Sequence, residues 1–218
     1  MRSIIATSAL ALAIAVPGLA AAQELKFSAG ATLASQYVAD GIEQTKGIAF
    51  QPWVEGEIGG FYFGAWLSNT DKAIVGSSSE IDLYVGYRGE VGMFSYDVGY
   101  TRYYYQNPKV DCCGDIIVQL GLAPTDKLSL GTKVKYNPSK STNPTKAYNL
   151  SISADYALTD KFSMGAVYGK VTKGGMKYWS VGGSYAINDD LALGLSWNDT
   201  NTTKGVAVLA LDYAFSFK

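Results

Sequence analysis

The sequence predicts an all-β protein, a transmembrane antiparallel up-and-down β-barrel of about 12 strands, and three observations lead to this prediction. Apolar and polar residues alternate with a period of two through most of the chain, which is the pattern of strands with one apolar and one polar face. The connections between these segments are alternately long and short. Charged residues make up 17% of the chain, whereas a soluble surface carries about 25–35%.

The first 22 residues have the features of a cleaved signal peptide. Arg2 provides a positive charge, residues 4–16 form an apolar run, and Ala20, Ala21 and Ala22 provide a small-residue cleavage site. The apolar run is too short to cross a bilayer as a helix, which needs about 20 residues. We therefore expect residues 1–22 to be a signal peptide and residues 23–218 to form one outer-membrane β-barrel domain.

Twelve segments follow, each with large apolar residues at every second position. In chain order they span residues 25–37, 50–58, 61–69, 80–88, 94–101, 116–122, 128–136, 148–156, 162–168, 179–187, 191–197 and 209–217. The last segment shows the pattern most clearly, because large apolar side chains alternate there with small or polar ones. These large residues are Leu209, Leu211, Tyr213, Phe215 and Phe217. Tilted strands of about 9–11 residues cross a bilayer, so most segments are close to the required length.

The connections predict how the strands are arranged. Longer polar loops fall near residues 39–48, 71–79, 107–114, 138–146, 172–175 and 199–204. Tight turns fall at residues 59–60, 90–92, 124–126, 159–160 and 188–190. Loops and turns in this alternation fit an up-and-down barrel with an even number of strands and both termini on the turn side, as in outer-membrane barrels.

A secreted β-sandwich or a soluble barrel would show the same alternation, with the apolar faces pointing inward. Two further points favour the membrane. A ring of 12 tilted strands is about 24 Å across, which is too wide for side chains to fill in a soluble barrel. Aromatic residues also gather near the strand ends, as an interfacial girdle requires. These residues are Tyr37, Phe50, Phe61, Tyr87, Tyr136, Tyr148, Phe162 and Trp197.

The composition argues against catalysis and against metal or cofactor binding. The chain has no histidine, the residue that serves most often as a general base and as a metal ligand. No pair of acidic residues stands out from the ordinary alternation. We therefore expect no enzyme activity, no catalytic, metal-binding or cofactor-binding residues, and no cofactor. The net charge of −1 does not indicate a nucleic-acid partner.

The polar face of the strands provides candidate pore-lining residues. They are Glu55, Glu57, Asp82, Arg88, Asp97, Lys133, Lys135 and Asp155. Most of the acidic residues precede the two lysines by several strands, so an acidic wall would face a basic wall and select small polar solutes or ions. In the alternative, the same charges pair into a network that closes the lumen. The inward aromatic residues either form a stacking track for sugars or fill space; they are Trp53, Tyr62, Trp66 and Tyr84.

Cys112 and Cys113 are the two cysteines of the chain and fall in the third predicted long loop, in the stretch VDCCGD. In an oxidising compartment a vicinal disulfide is a plausible product. Adjacent Cα atoms lie about 3.8 Å apart, which is below the usual disulfide range. Such a bond would stiffen the tip of the loop, and a redox sensor or an intermolecular bridge are the alternatives.

The first half of the predicted barrel resembles a known family. The stretch SQYVADGIEQTKGIAFQPWVEGEIGGFYFGAWLSN, residues 35–69, and the segments EIDLYVGYRGE and FSYDVGYTRYYY that follow are similar to TorF-family porins of proteobacterial outer membranes. Where that family commonly has Arg-Gly in its first loop, this chain has Asp40-Gly41. The resemblance implies an outer-membrane location and a channel-like function, and it supplies no substrate.

Together these features predict a porin-like channel in a bacterial outer membrane for passive diffusion of small polar solutes or ions. The alternative is a non-conducting structural or surface-interaction barrel with a lumen closed by a charge network. The expected partners are membrane lipid, lipopolysaccharide, the outer-membrane assembly machinery through the aromatic C-terminal strand, and the solute itself. We expect a monomer or a trimer.

Overall fold

A computed structural model describes residues 24–106 and 110–217 of the chain. The predicted signal peptide, residues 1–22, lies outside the described residues. In these two ranges no helix is both long enough and apolar enough to span a membrane. A single helical turn, α1 (Lys72–Val75), is capped by the Asp71 side chain, which accepts a hydrogen bond from the Ala73 N–H at 2.8 Å.

The rest of the described chain is built almost entirely from strands. In chain order they are β1 (Lys26–Ala34), β2 (Val38–Ala39), β3 (Ile42–Glu43), β4 (Ala49–Ile58), β5 (Phe61–Asn69), β6 (Ser79–Val91), β7 (Phe94–Gln106), β8 (Val110–Leu122), β9 (Leu128–Tyr136), β10 (Tyr148–Ala157), β11 (Phe162–Val171), β12 (Lys177–Ala186), β13 (Leu191–Thr200) and β14 (Val206–Phe217). The two shortest strands, β2 and β3, form a separate hairpin in the connection from β1 to β4.

The other 12 described strands close into one antiparallel barrel in which successive strands are neighbours. β1 pairs with β4 on one side and with β14 on the other, and the second pairing, which sets Phe27 opposite Phe217, closes the ring. Both ends of the barrel chain therefore lie on the side of the tight turns. The predicted fold, an up-and-down barrel with an even number of strands, is confirmed.

The barrel carries its large apolar side chains on the outside. Among the described residues no large side chain is fully buried. The buried apolar residues of that part are Ala34, Ala49, Tyr62, Tyr178 and Ala192. By contrast, Leu195 on β13 is 59% exposed and Phe61 on β5 is 61% exposed. A soluble protein of this size buries its large apolar residues in a core, so this outer surface belongs in lipid and the soluble alternatives are excluded.

Aromatic residues near the strand ends pack in pairs across neighbouring strands. The ring centres of Phe61 and Tyr87 lie 4.7 Å apart, as do those of Tyr136 and Tyr148. Tyr37 departs from the predicted girdle, because β1 ends at residue 34 and the chain then bends inward. The Tyr37 ring instead packs edge-on against Trp66 on the inner face of β5, with 5.4 Å between ring centres.

Four of the five predicted tight turns lie where the sequence places them, and the second lies at residues 92–93, slightly later than the predicted 90–92. The third long loop is shorter than predicted. β7 continues to residue 106 and β8 begins at residue 110. Cys112 and Cys113, predicted to lie in a loop, therefore lie in β8. The register between β7 and β8 shifts between Tyr103 and Tyr104. Pairing continues past this bulge, so both strands extend beyond the length that a bilayer requires.

Candidate functional site

The inner face of β4–β7 carries a group of polar residues near the tight turns, named here the turn-end cluster. Its members are Glu55, Glu57, Tyr62, Arg88 and Asp97. The Arg88 guanidinium donates to Glu55 and to Glu57, with its Nε 3.0 Å from Glu57 Oε2. The Tyr62 hydroxyl donates to Asp97 Oδ1 at 2.6 Å, and the guanidinium carbon of Arg88 lies 4.6 Å from the centre of the Tyr62 ring. One cation thus binds two carboxylates, and a phenol donates a hydrogen bond to the third.

The inward aromatic rings of this region lie against glycines on neighbouring strands. A Cβ atom added at Gly99 would stand 2.6 Å from the Tyr62 hydroxyl, and one added at Gly86 would overlap the same group. Trp53 lies in the same way on Gly30, where an added Cβ would be 2.8 Å from its Nε1. Because glycine has no side chain, these rings rest on the wall of the barrel.

A second group lies at the end of the barrel with the long loops and is named here the mouth cluster. It consists of Asp40, Lys133, Lys135, Asn149 and Tyr178. Asp40 Oδ2 accepts from Lys135 Nζ and from Asn149 Nδ2, each at 2.9 Å. Its other oxygen, Oδ1, lies 3.5 Å from Lys133 Nζ and 3.3 Å from the Tyr178 hydroxyl. One carboxylate from the first loop therefore joins side chains of β9, β10 and β12.

The hairpin of β2 and β3 brings Asp40 to this position. Asp40 and Gly41 form its two-residue turn with φ values of 48° and 82°, and positive φ at both residues is what a type I′ turn requires. A Cβ atom at Gly41 would stand 2.5 Å from Tyr178 Cβ and 2.8 Å from Thr200 Cγ2, so the tip rests directly on β12 and β13. In the ring, β9 is six places from β1, and the hairpin therefore reaches across the mouth.

The charge state of the first loop follows from its surroundings. Burial raises the pKa of the Asp40 carboxyl, but the ammonium groups of Lys135 and Lys133 outweigh this effect and lower the pKa to about 2. Burial and the carboxylates of Glu80 and Asp82 raise the pKa of Tyr37 well above its usual value. Asp40 is thus an anion throughout the physiological pH range, and Tyr37 is a neutral phenol.

Acidic residues next to the mouth cluster are held by tyrosines. The Tyr105 hydroxyl donates to Glu80 Oε1 at 3.0 Å, and the Tyr103 hydroxyl donates to Asp115 Oδ2 at 3.2 Å. Lys135 Nζ also lies 3.9 Å from Asp115 Oδ2. Lys135 therefore stands between the loop carboxylate and a carboxylate on the adjacent strand.

The remaining predicted site residues lie outside these pairings. Asp82 Oδ1, like Asp97 Oδ2 and Asp212 Oδ2, is buried without a hydrogen-bond partner in the described part of the protein. Asp155 lies on β10 against Gly165 of β11, on a different part of the wall. Cys113 is disulfide-bonded. The side chain of Cys112, the other cysteine of the chain, lies outside what the structure describes.

Most of the candidate pore-lining residues thus form two local groups, which differ from the predicted pair of opposed walls, and Asp82 and Asp155 belong to neither group. Arg88 forms ion pairs with both Glu55 and Glu57 on its own side of the ring, and these three groups keep a net charge of −1. The two lysines face a carboxylate that comes from a loop and had no place in the prediction. The difference arises because alternation assigns a side chain to the inner face but does not say which loop enters the lumen.

Sequence reasoning missed several residues of the site, and four of them, Asp40, Tyr103, Tyr105 and Asp115, had a usable signal. The dipeptide Asp40-Gly41 is a typical sequence for a two-residue hairpin. Asp115 lies on the inner face in the alternation of β8, one residue before the predicted segment 116–122. Tyr103 and Tyr105 continue the inner face of β7 beyond the predicted end. None of these signals indicates that the hairpin folds into the barrel.

No metal site is evident in the described ranges, since no group of three or more Cys, Asp or Glu side chains is placed to hold an ion.

The closed 12-strand ring, its apolar outer surface and its polar lumen define a transmembrane β-barrel of the porin fold. A solved KdgM porin matches with a TM-score of 0.65 and 13% identity, over 88% of this chain and 99% of that one. KdgM porin in complex with disordered oligogalacturonate matches with a TM-score of 0.61 and 11% identity, over 88% of this chain and 99% of that one. NanC porin matches with a TM-score of 0.52 and 11% identity, over 89% of this chain and 100% of that one. At these identities the similarity is one of fold.

A family model described as a bacterial protein of unknown function (Gcw_chp) matches residues 19–214. The chain belongs to this family. No curated protein matches the sequence.

Proposed function

We propose that the protein is an outer-membrane channel for passive diffusion of small polar solutes or ions. The observation that carries this proposal is that the turn-end cluster pairs its charges along the wall. Arg88 on β6 reaches Glu55 and Glu57 on β4, with β5 as the one strand between them. A network that closed the lumen would instead join opposite sides of the ring.

The inner aromatic residues support the same reading. Tyr62 and Trp53 rest on glycines of the wall, so these two rings do not fill the centre of the barrel. A ring about 24 Å across, with side chains reaching about 6 Å inward, leaves roughly 10 Å or less for a passage beyond the hairpin. A passage of this size admits ions and small sugars.

The proposed location rests on the porin fold and on the resemblance of residues 35–69 to TorF-family porins. We propose the corresponding partners: membrane lipid, lipopolysaccharide at the long loops, and the outer-membrane assembly machinery at β14. A monomer is the simpler assembly and a trimer the alternative. No catalytic role is proposed.

One observation favours the alternative, a non-conducting barrel. The hairpin that carries Asp40 crosses the mouth and is tied to β9, β10 and β12. If it covered the whole opening, the protein would serve as a structural or surface-interaction barrel. The two candidates differ in ion conduction, which can be measured directly.

The deciding experiment is single-channel conductance of the refolded protein in a planar bilayer. We expect discrete current steps, and we expect Lys133→Glu/Lys135→Glu to shift the ion preference toward cations, because the reversed charges face the lumen. The matched control is Lys127→Glu/Lys161→Glu, which changes two exposed lysines at tight turns and should leave selectivity nearly unchanged. A silent bilayer from protein that is folded by heat-modifiable gel shift would contradict the channel and favour the closed barrel.

A further inference from the structure

The mouth cluster has the construction of a binding site for a carboxylate. Asp40 receives hydrogen bonds at 2.9 Å from Lys135 and Asn149, and the second lysine lies 3.5 Å from its other oxygen. The Tyr178 hydroxyl is 3.3 Å from Asp40 Oδ1 and 2.9 Å from Asn149 Oδ1, and its single hydrogen serves one of the two. Charged and neutral donors on both oxygens are the pattern of strong carboxylate recognition.

The donors belong to the wall, and strand pairing sets the positions of their backbones. Lys135 and Asn149 are directly opposite each other in the pairing of β9 with β10. The Tyr178 ring of β12 packs on Gly169 of β11. Regular strands thus hold the donors in place, as a preorganised site requires.

The site keeps two ammonium groups without its present occupant. Lys133 and Lys135 face Asp115, whose Oδ2 is 3.9 Å from Lys135 Nζ, and the more distant carboxyl groups of Glu80 and Asp82 also act on Lys135. The two lysine side chains are 33% and 22% exposed, so solutes in the lumen can reach them. A carboxylate that replaced Asp40 would meet the same two ammonium groups and the Asn149 amide.

The occupant is carried by a small element that can move separately from the barrel. β2 and β3 pair at two positions, and a Gln44 N–H bond to the Tyr37 carbonyl at 2.7 Å closes the base of the hairpin. Such a two-stranded hairpin is marginal by itself, and it is held by its tip and, at its base, by Tyr37 against Trp66 and by the Asp71 N–H bond to the Gln44 carbonyl at 2.8 Å. Withdrawal of the tip exposes the donors without breaking any strand pairing of the barrel.

We propose that Lys133, Lys135 and Asn149, with Tyr178 at the edge, form a binding site for the carboxylate of a small acidic solute, and that Asp40 occupies it as a tethered substitute. The solute carboxylate displaces Asp40 and the hairpin moves away from the mouth. This inference rests on the proposed channel function, because the solute is taken to reach the site through the lumen.

The test compares glucuronate with glucose, two sugars of similar size of which one carries a carboxylate. In planar bilayers, Asp40→Ala should be blocked by glucuronate at a concentration at least about tenfold lower than wild type, since the tethered competitor is gone. Glucose should act equally on both proteins. The double variant Asp40→Ala/Lys135→Met should not show this increased sensitivity to glucuronate. The control Asp126→Ala, at an exposed turn residue, should behave as wild type.

A second readout separates this inference from the channel proposal. Calorimetric titration of the same proteins in detergent micelles measures glucuronate binding without current. Binding that is stronger in Asp40→Ala than in wild type and absent for glucose would support the site even if the bilayer were silent. Equal glucuronate sensitivity and equal binding in folded wild-type, Asp40→Ala and Asp40→Asn proteins would overturn it.

Discussion

Asp40 is the residue on which the arrangement of the mouth depends most. It comes from a loop, yet it is held by side chains of three barrel strands. Its depressed pKa shows that the lysines stabilise the charged form more than burial disfavours it. The ionisation of Asp40 therefore contributes to the stability of the folded loop.

We predict a pH dependence of stability that is specific to Asp40. The pKa falls from 3.8 to about 2 on folding, so the stabilisation is complete above the unfolded value and is lost as the pH falls toward 2. Wild type should be more stable than Asp40→Asn by about 2 kcal/mol above pH 4. Urea unfolding at pH 7, 4, 3 and 2 measures this difference. A difference that closed between pH 7 and pH 5 would show that another group is responsible.

At the scale of the strands, the packing of aromatic rings on glycines fixes the inner wall. Tyr62 on β5 lies over Gly86 on β6 and Gly99 on β7, and its hydroxyl reaches Asp97. Three neighbouring strands thus share one ring. The same contacts keep the ring beneath Arg88 and away from the centre of the barrel.

We predict that Gly86→Ala destabilises the barrel by about 1–3 kcal/mol, because the new methyl group overlaps the Tyr62 hydroxyl and forces the ring inward. The displaced ring should also lower single-channel conductance. Gly47→Ala is the matched control, since no atom lies within 4 Å of a Cβ at that position. Urea midpoints and conductance of both variants provide the comparison, and equal behaviour of the two would show that Tyr62 tolerates the methyl group without moving.

At the scale of the whole molecule, the barrel is organised by two solvents. Lipid surrounds the outer face, where Leu195 is 59% exposed, and the lumen borders the inner face, where Ser196 accepts a hydrogen bond from Asn198 at 3.0 Å. Adjacent residues of one strand therefore have different surroundings. The alternation is kept through all 12 strands because a shift of one residue would place every side chain in the wrong solvent.

We predict that Leu195→Arg and Ser196→Arg differ sharply although the two positions are adjacent. An arginine on the lipid face near the middle of β13 should lower the free energy of unfolding by about 2–4 kcal/mol. An arginine in the lumen should lower it much less and should shift the ion preference of the channel toward anions. Reversible folding into lipid vesicles, followed by heat-modifiable gel shift, measures both costs. Similar costs for the two variants would argue against the assignment of the faces.

The sequence by itself determined the strand count, the order of loops and turns, and the face on which most side chains lie. These features depend on local periodicity, which each strand carries in its own residues, as in the segment from Leu209 to Phe217. For the same reason the inner positions of Glu55, Arg88 and Lys135 could be predicted singly.

Only the tertiary structure decided which of these residues meet. Arg88 pairs with Glu55 across β5, and Lys135 pairs with Asp40 from a hairpin that begins half a ring away. Periodicity along a strand contains no information on the path of a loop or on pairing between strands that are not neighbours. Those contacts arise from ring closure and from the burial of polar groups that need partners, and both are properties of the whole barrel.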